Sequence, residues 1–248
     1  MLESYYAGAY WGVRPETASE CAEHALLFFE KLTRIDPSWQ QWCRAGKRPR
    51  GAPPLKANVS DKQELEELFR RGRNRANVRK EVDEELGFYI TVWTPEKNYT
   101  MVRIHGGVYT PFISNVCVIT FPSEGASAER ILRMSVMKQV LMCMTMAWDP
   151  EWAVVTSGDV RDLVLQREKN EDAIGWLMYC SNRRGRVPPL PAPARIERVQ
   201  DKGTLITLSE ERFTASNPEH VARAVRIHEL LARAGLLQSR REEPASNP

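Results

Sequence analysis

The sequence predicts an α+β protein: a single domain with a largely antiparallel sheet of about six or seven strands, flanking helices and one central apolar helix. Three observations lead there. Helical and strand-like patterns come in blocks rather than in βαβ alternation, which argues against a parallel sheet covered on both faces. Neighbouring strand patterns are joined by turn chemistry, at Thr94-Pro95-Glu96-Lys97-Asn98 and at Asp201-Lys202-Gly203, and tight turns join antiparallel neighbours. From Ser127 to about Ala147 the chain is apolar on nearly every helical face, and such a helix has to be covered by other elements.

The elements follow in chain order. Tyr5 to Trp11 is short and aromatic and reads as a strand. Pro15 opens a helix to about Arg34, in which Ala18, Cys21, Ala22, Ala25, Phe28, Phe29 and Leu32 recur at helical spacing as one apolar stripe. Asp36-Pro37 joins an N-cap to a proline at the first helical position and leads a short helix carrying Trp39 and Trp42, stopped near Gly46. Lys47 to Val59 is rich in proline and base without periodicity, the pattern of a loop. Ser60 is placed to cap the helix DKQELEELFRR, whose apolar edge is Leu65, Leu68 and Phe69. Strands are expected at Phe88–Thr94 and Tyr99–His105, paired as a hairpin, and at Val116–Phe121.

After the central helix, Trp152–Thr156 and Ile174–Cys180 read as strands, with Ser157-Gly158-Asp159 as a strand end and helix cap. Pro188, Pro189, Pro191 and Pro193 make a stiff connector, and Arg195–Val199 and Thr204–Leu208 flank the second turn as a hairpin. Asn217-Pro218-Glu219 starts a last amphipathic helix that ends at Gly235. The hairpin beyond the prolines needs a sheet to join, so one domain is expected over residues 1–237. A disordered polar tail is expected at 238–248.

Composition bounds what the chain does. Its 248 residues are 42% hydrophobic and 27% charged, which excludes collagen-like, coiled-coil and wholly disordered classes. Lys and Arg number 35 against 32 Asp and Glu, a net charge of +3, too small to make nucleic acid or a membrane surface the main partner. The most apolar segment has Val140–Met144 as its longest unbroken run, far short of the roughly 20 residues a membrane span requires. The N-terminus has no basic stretch followed by an apolar one, so a cytoplasmic protein is expected. Cys21, Cys43, Cys117, Cys143 and Cys180 are irregularly spaced with no C-x-x-C, and read as reduced, small core residues.

No pattern of residues makes a catalytic, cofactor-binding or metal-binding site. The chain has no G-x-x-x-x-G-K-[ST], no G-x-G-x-x-G after a strand, no H-E-x-x-H and no G-x-S-x-G. His24 and His228 lie in amphipathic helices and His220 in the first turn of the last one, where packed or surface histidines belong. His105-Gly106-Gly107 is the best catalytic candidate, because glycines let a backbone approach a ligand. No acidic or nucleophilic partner stands at a diagnostic spacing from it, and a tight turn ending the strand is the better reading. Charge patterning carries more. Between Asp61 and Glu85 stand eight acids and seven bases, in blocks. They form either a solvated face with i,i+4 pairs such as Glu66 with Arg70 and Glu67 with Arg71, or a surface that steers a charged protein partner. Seven tryptophans are many for this length. Most are expected in the core, while Trp39 and Trp42, beside a loop, are candidates for interface anchors.

Four stretches, taken in order and spacing, resemble a known family: Tyr5-Tyr6-Ala7-Gly8-Ala9-Tyr10-Trp11-Gly12, Asp36-Pro37-Ser38 with Trp42, Trp148-Asp149-Pro150-Glu151-Trp152, and Gly175-Trp176-Leu177-Met178-Tyr179-Cys180-Ser181. Over about Tyr5 to Leu237 the chain is similar to the immunity protein 52 family of bacterial polymorphic toxin systems. The serine of the last motif is usually preceded by an apolar residue, and here by Cys180. The resemblance implies a cognate inhibitor, not an enzyme. Its partner would be a nuclease toxin domain of restriction-endonuclease type, often a type VI secretion effector, with no nucleic acid, membrane or cofactor involved. It implies that Gly8, Tyr10, Trp11, Gly12, Gly175, Trp176 and Tyr179 are structural. A nuclease presents a basic face, so Asp61, Glu64, Glu67, Glu81, Asp83, Glu84 and Glu85 become candidate toxin contacts, with Trp39 and Trp42 as anchors. Two other readings stand beside this one: a peptidoglycan- or nucleotide-acting enzyme using His105, and a structural adaptor of the secretion machinery.

Overall fold

The structure, a computed structural model, describes residues 2–47, 52–73, 84–165 and 172–237. The expected disordered tail lies outside them, as do Glu81 and Asp83. One antiparallel sheet runs through the molecule. Its strands are β1 (Tyr5–Trp11), β2 (Trp42–Arg44), β3 (Leu55–Ala57), β4 (Phe88–Trp93), β5 (Met101–Gly106), β6 (Asn115–Thr120), β7 (Trp152–Ser157), β8 (Leu177–Ser181), β9 (Arg195–Val199) and β10 (Gly203–Thr207). They lie in the order β3-β2-β4-β5-β6-β1-β7-β8-β10-β9. The α+β class holds, and the strand number is corrected to ten.

The additional strands come from the stretch between the first two long helices. Asp36 caps only a 3-10 turn, Pro37–Gln40. Trp42 then begins β2 instead of continuing a helix, because its ring meets Phe29 at 5.3 Å and its indole N–H donates to Trp39 O at 2.8 Å. The proline-rich stretch expected as a loop contains β3, which pairs with β2.

Helices α1 (Ala18–Leu32), α2 (Lys62–Arg71), α3 (Gly125–Ile131), α4 (Met134–Trp148), α5 (Gly158–Leu165) and α6 (Pro218–Arg233) complete the fold. The α1 stripe is buried at all seven of its expected positions. That helix starts later than Pro15, where Thr17 and Glu20 form a capping box. Asp61, not Ser60, caps α2. The central apolar helix is two helices, broken at Arg133, which is extended. The Arg212 guanidinium fills the break, donating to Leu132 O at 3.3 Å and Ala128 O at 3.5 Å.

Side chains alternate across a strand, so the registers assign each residue a face. On the first face Ala7, Ala9, Cys117, Ile119, Val102, Ile104, Ile90 and Val92 are buried. Helices α1 and α4 pack there, with Trp11 stacked on Trp148 at 5.2 Å and Cys143 Sγ donating to Phe28 O at 3.2 Å. On the second face Trp152 and Thr156 of β7 lie beneath residues 172–175, donating to Ala173 O and Ile174 O. Arg161 of α5 sits over the Tyr6 ring, and α6 packs on α5. No described helix packs across the second face of β4, β5 and β6.

Candidate protein-binding surface

The acidic residues singled out by sequence divide between a helix and a turn. The Asp61 carboxylate accepts from the main-chain N–H groups of Gln63 at 2.8 Å and Glu64 at 3.4 Å, which commits it to the α2 cap. Glu64 accepts from Asn58 N–H at 3.1 Å and lies 3.7 Å from Arg44 Nε. Glu66 pairs with Arg70, and Glu67 with Arg71 at 2.8 Å, the arrangement of a solvated helix face. Glu84 and Glu85 lie outside α2, with Glu84 lining one cleft together with Glu66 and Arg70. They are exposed on a 3-10 turn, Glu84–Leu86, that leads into β4.

Trp39 and Trp42 are not surface anchors. They are 0% and 2% exposed. Trp39 donates its indole N–H to Thr100 Oγ1 at 2.9 Å and lies 6.4 Å from Phe121. Both rings fill the first-face core because β2 turns Trp42 inward as soon as the 3-10 turn ends.

The uncovered second face of β4, β5 and β6, with Tyr10 of β1, forms a concave surface of about 810 Å³. Register puts Tyr89, His105, Val116 and Tyr10 in one row, and Thr91, Arg103, Val118 and Gly8 in the next. The Tyr10 ring lies over Gly8, where a Cβ would come 2.5 Å from the hydroxyl; the missing side chain makes room for the ring. Tyr89 is 42% exposed, and Phe112 and Val13 at the rim are 50% and 55% exposed.

The loop at that rim is held from below. Asn115 is fully buried; its amide donates to Gly12 O at 2.7 Å and Val108 O at 2.9 Å, and its Oδ1 accepts from Val108 N–H at 2.8 Å. His105 donates from Nε2 to Leu86 O at 2.7 Å, with the Tyr89 ring edge-on at 6.0 Å. Burial pushes its pKa below the ordinary imidazole value. The following turn is a glycine turn, with Gly107 at φ +73°. At the opposite rim Arg184 pairs with the buried Asp172, comes within 3.8 Å of Glu151 and sits 5.6 Å over the Trp152 ring. Among the described residues no group of His, Cys, Asp and Glu is placed to hold a metal ion, and no helix is long and apolar enough to cross a membrane.

The family model of immunity protein 52 matches residues 3–240. The chain belongs to the immunity protein 52 family. Among solved structures it is similar to Pseudomonas aeruginosa T6SS protein PA0821, at 13% sequence identity and a TM-score of 0.55, over 94% of this chain and 76% of that one. That likeness is one of fold. No curated protein matches.

In this immunity protein 52 chain three of the four resembling stretches sit at the middle of the sheet, around β1, β7 and β8, while Asp36-Pro37-Ser38 with Trp42 lies on the 3-10 turn and β2 near one border. Tyr5–Trp11 is β1, with Gly12 just beyond it, 3.4 Å from Glu151 Oε1. Gly175 lies against the Thr156 side chain and 2.6 Å, measured from where its Cβ would be, from Val155 O. Trp176 donates to Ser209 O at 2.9 Å and Tyr179 is fully buried. Asp149 turns the chain from α4 into β7 at φ 44°, gripped by Arg183 at 2.7 Å and Lys202 at 3.3 Å. Sequence reasoning passes over Tyr89, Arg103, Val116 and Val118. Their alternation marks strands without telling whether the second face meets solvent or another layer.

Proposed function

We infer that this chain is the cognate inhibitor of a secreted nuclease toxin of restriction-endonuclease type. It acts in the cytoplasm of the producing cell by stoichiometric protein–protein binding and transforms nothing itself. The observation that carries this is the family match over nearly the whole chain, from residue 3 to residue 240. The fold likeness to a T6SS protein supports a secretion context. Side-chain chemistry agrees with a binder. The five cysteines are buried, with burial pushing the Cys143 thiol up to about 12. His105 gives its Nε2 proton to a main-chain carbonyl and His220 accepts from Thr214 N–H.

Protection of a chromosome demands tight binding, and nuclease inhibitors reach the limit of non-covalent affinity. An interface of roughly 1,600 Å² supplies this when a few anchors are well packed. With a net charge of only +3, attraction between the partners has to be local. Glu84 and Glu85, exposed on the turn that leads into β4, are the acids best placed to meet a basic toxin surface. Asp61, Glu64 and Glu67 contribute as a secondary acidic patch, within the ion pairs and cap they already form.

The test is co-expression with the toxin encoded by the adjacent gene. Growth is restored only when this chain is present, and the two co-purify in fixed ratio. Failure to bind that toxin, or turnover of a small substrate by the purified chain, overturns the reading.

A further inference from the structure

Among the described residues no helix covers the second face of β4, β5 and β6, and its chemistry suits a contact surface. Soluble proteins seldom leave a contiguous apolar patch open without using it. Here Tyr89 of β4 and Val116 and Val118 of β6 flank His105 and Arg103 of β5, with Phe112 standing exposed at the rim. The surface is rigid: antiparallel ladders fix its rows, and the buried Asn115 amide pins the rim loop. A face already in its bound shape loses little conformational freedom on association.

Charge identifies the occupant. Arg103 stands exposed in the middle of β5 between Thr91 and Val118, and among the described residues no carboxylate pairs with it. His105 beside it is turned to Leu86 O. The nearest rim acids on the α5 side, Asp172 and Glu151, face Arg184. The middle of this face therefore offers one cation on an aromatic and aliphatic bed, the combination enriched at binding hot spots.

We propose that the toxin docks on the second face of β4, β5 and β6, bringing a carboxylate flanked by apolar side chains to Arg103. Glu84 and Glu85, on the turn that leads into β4, meet basic residues of the toxin at the edge of the interface. This rests on the functional reading above and locates its contact surface.

Calorimetry with the purified toxin tests it, using wild type, Arg103→Glu, Tyr89→Ala and, as a control at an exposed position of α6, Glu229→Lys. Circular dichroism and thermal melting report folding, and sedimentation reports the oligomeric state. The expected result is wild-type binding, a loss of roughly thirtyfold or more for Arg103→Glu, about tenfold for Tyr89→Ala, and no change for Glu229→Lys. Tyr89 is at the surface and carries the test alone should Arg103→Glu melt early. Wild-type binding with equal affinity in both face variants overturns the docking site and leaves the inhibitor reading intact. A wild-type chain that ignores the toxin overturns both. A wild-type dimer that Arg103→Glu splits assigns the face to a second copy and also overturns the proposal.

Discussion

His24 of α1 is held in its charged form by what surrounds it. Nδ1 lies 2.8 Å from Ala147 O and Nε2 3.0 Å from Glu16 Oε1, and only an imidazolium donates to both. The Glu16 hydrogen bond raises its pKa above the ordinary 6.5, overcoming burial, which works to lower it. A pKa higher in the folded than in the unfolded chain means a contribution fully present below 6.5 and lost as pH rises through the folded value. Urea midpoints are therefore expected to fall over that rise in the wild type, and less steeply in His24→Gln. Identical slopes would exclude His24 as the source. Asn115→Ala is expected to destabilise by about 1–3 kcal/mol, since two carbonyls and an N–H lose their partner in a buried site. Gly175→Ala forces a methyl against Thr156 and Val155 O and costs about 1–3 kcal/mol. Denaturant titration measures both.

At the level of elements, what could be read from sequence follows from where the information lies. The α1 stripe, the β4–β5 hairpin and the Asn217 cap of α6 are local patterns, and the chain adopts them. Strands β2 and β3 are three residues long, too short for alternation to show. The break between α3 and α4 depends on Arg212, which approaches from the other end of the chain, and no helical pattern carries that contact. One cap is resolved by a single pair of variants. Asp61→Ala is expected to lose about 1 kcal/mol, while Ser60→Ala stays within about 0.5 kcal/mol, because the Asp61 carboxylate holds the first N–H groups of α2. Equal losses at the two positions would contradict the assignment.

Across the whole molecule, the candidate site is a matter of which layer is missing. No sequence motif made a catalytic site, and charge blocks pointed to Asp61–Glu85, but helix pairing absorbs the first block. The tryptophans proposed as anchors sit in the core because their polar atoms find partners there. Tyr89 and Arg103 become a site only once α5 and α6 are seen to stop short of β4, β5 and β6. Reversal of Glu84 and Glu85 to Lys is expected to slow toxin association several-fold at low salt and less at high salt, with melting unchanged. Stopped-flow rates that match the wild type at low salt would remove those acids from the interface. The two ends of the sheet carry their own consequence. A ten-stranded ribbon has open hydrogen-bonding edges, which in many proteins seed fibres. Here one border is β3, a three-residue strand following Pro53 and Pro54, and the other is β9, whose Arg195, Glu197 and Arg198 are all exposed. Neither offers a long, flat, uncharged template, so the chain can stand in excess over its target without ladder-to-ladder polymerisation.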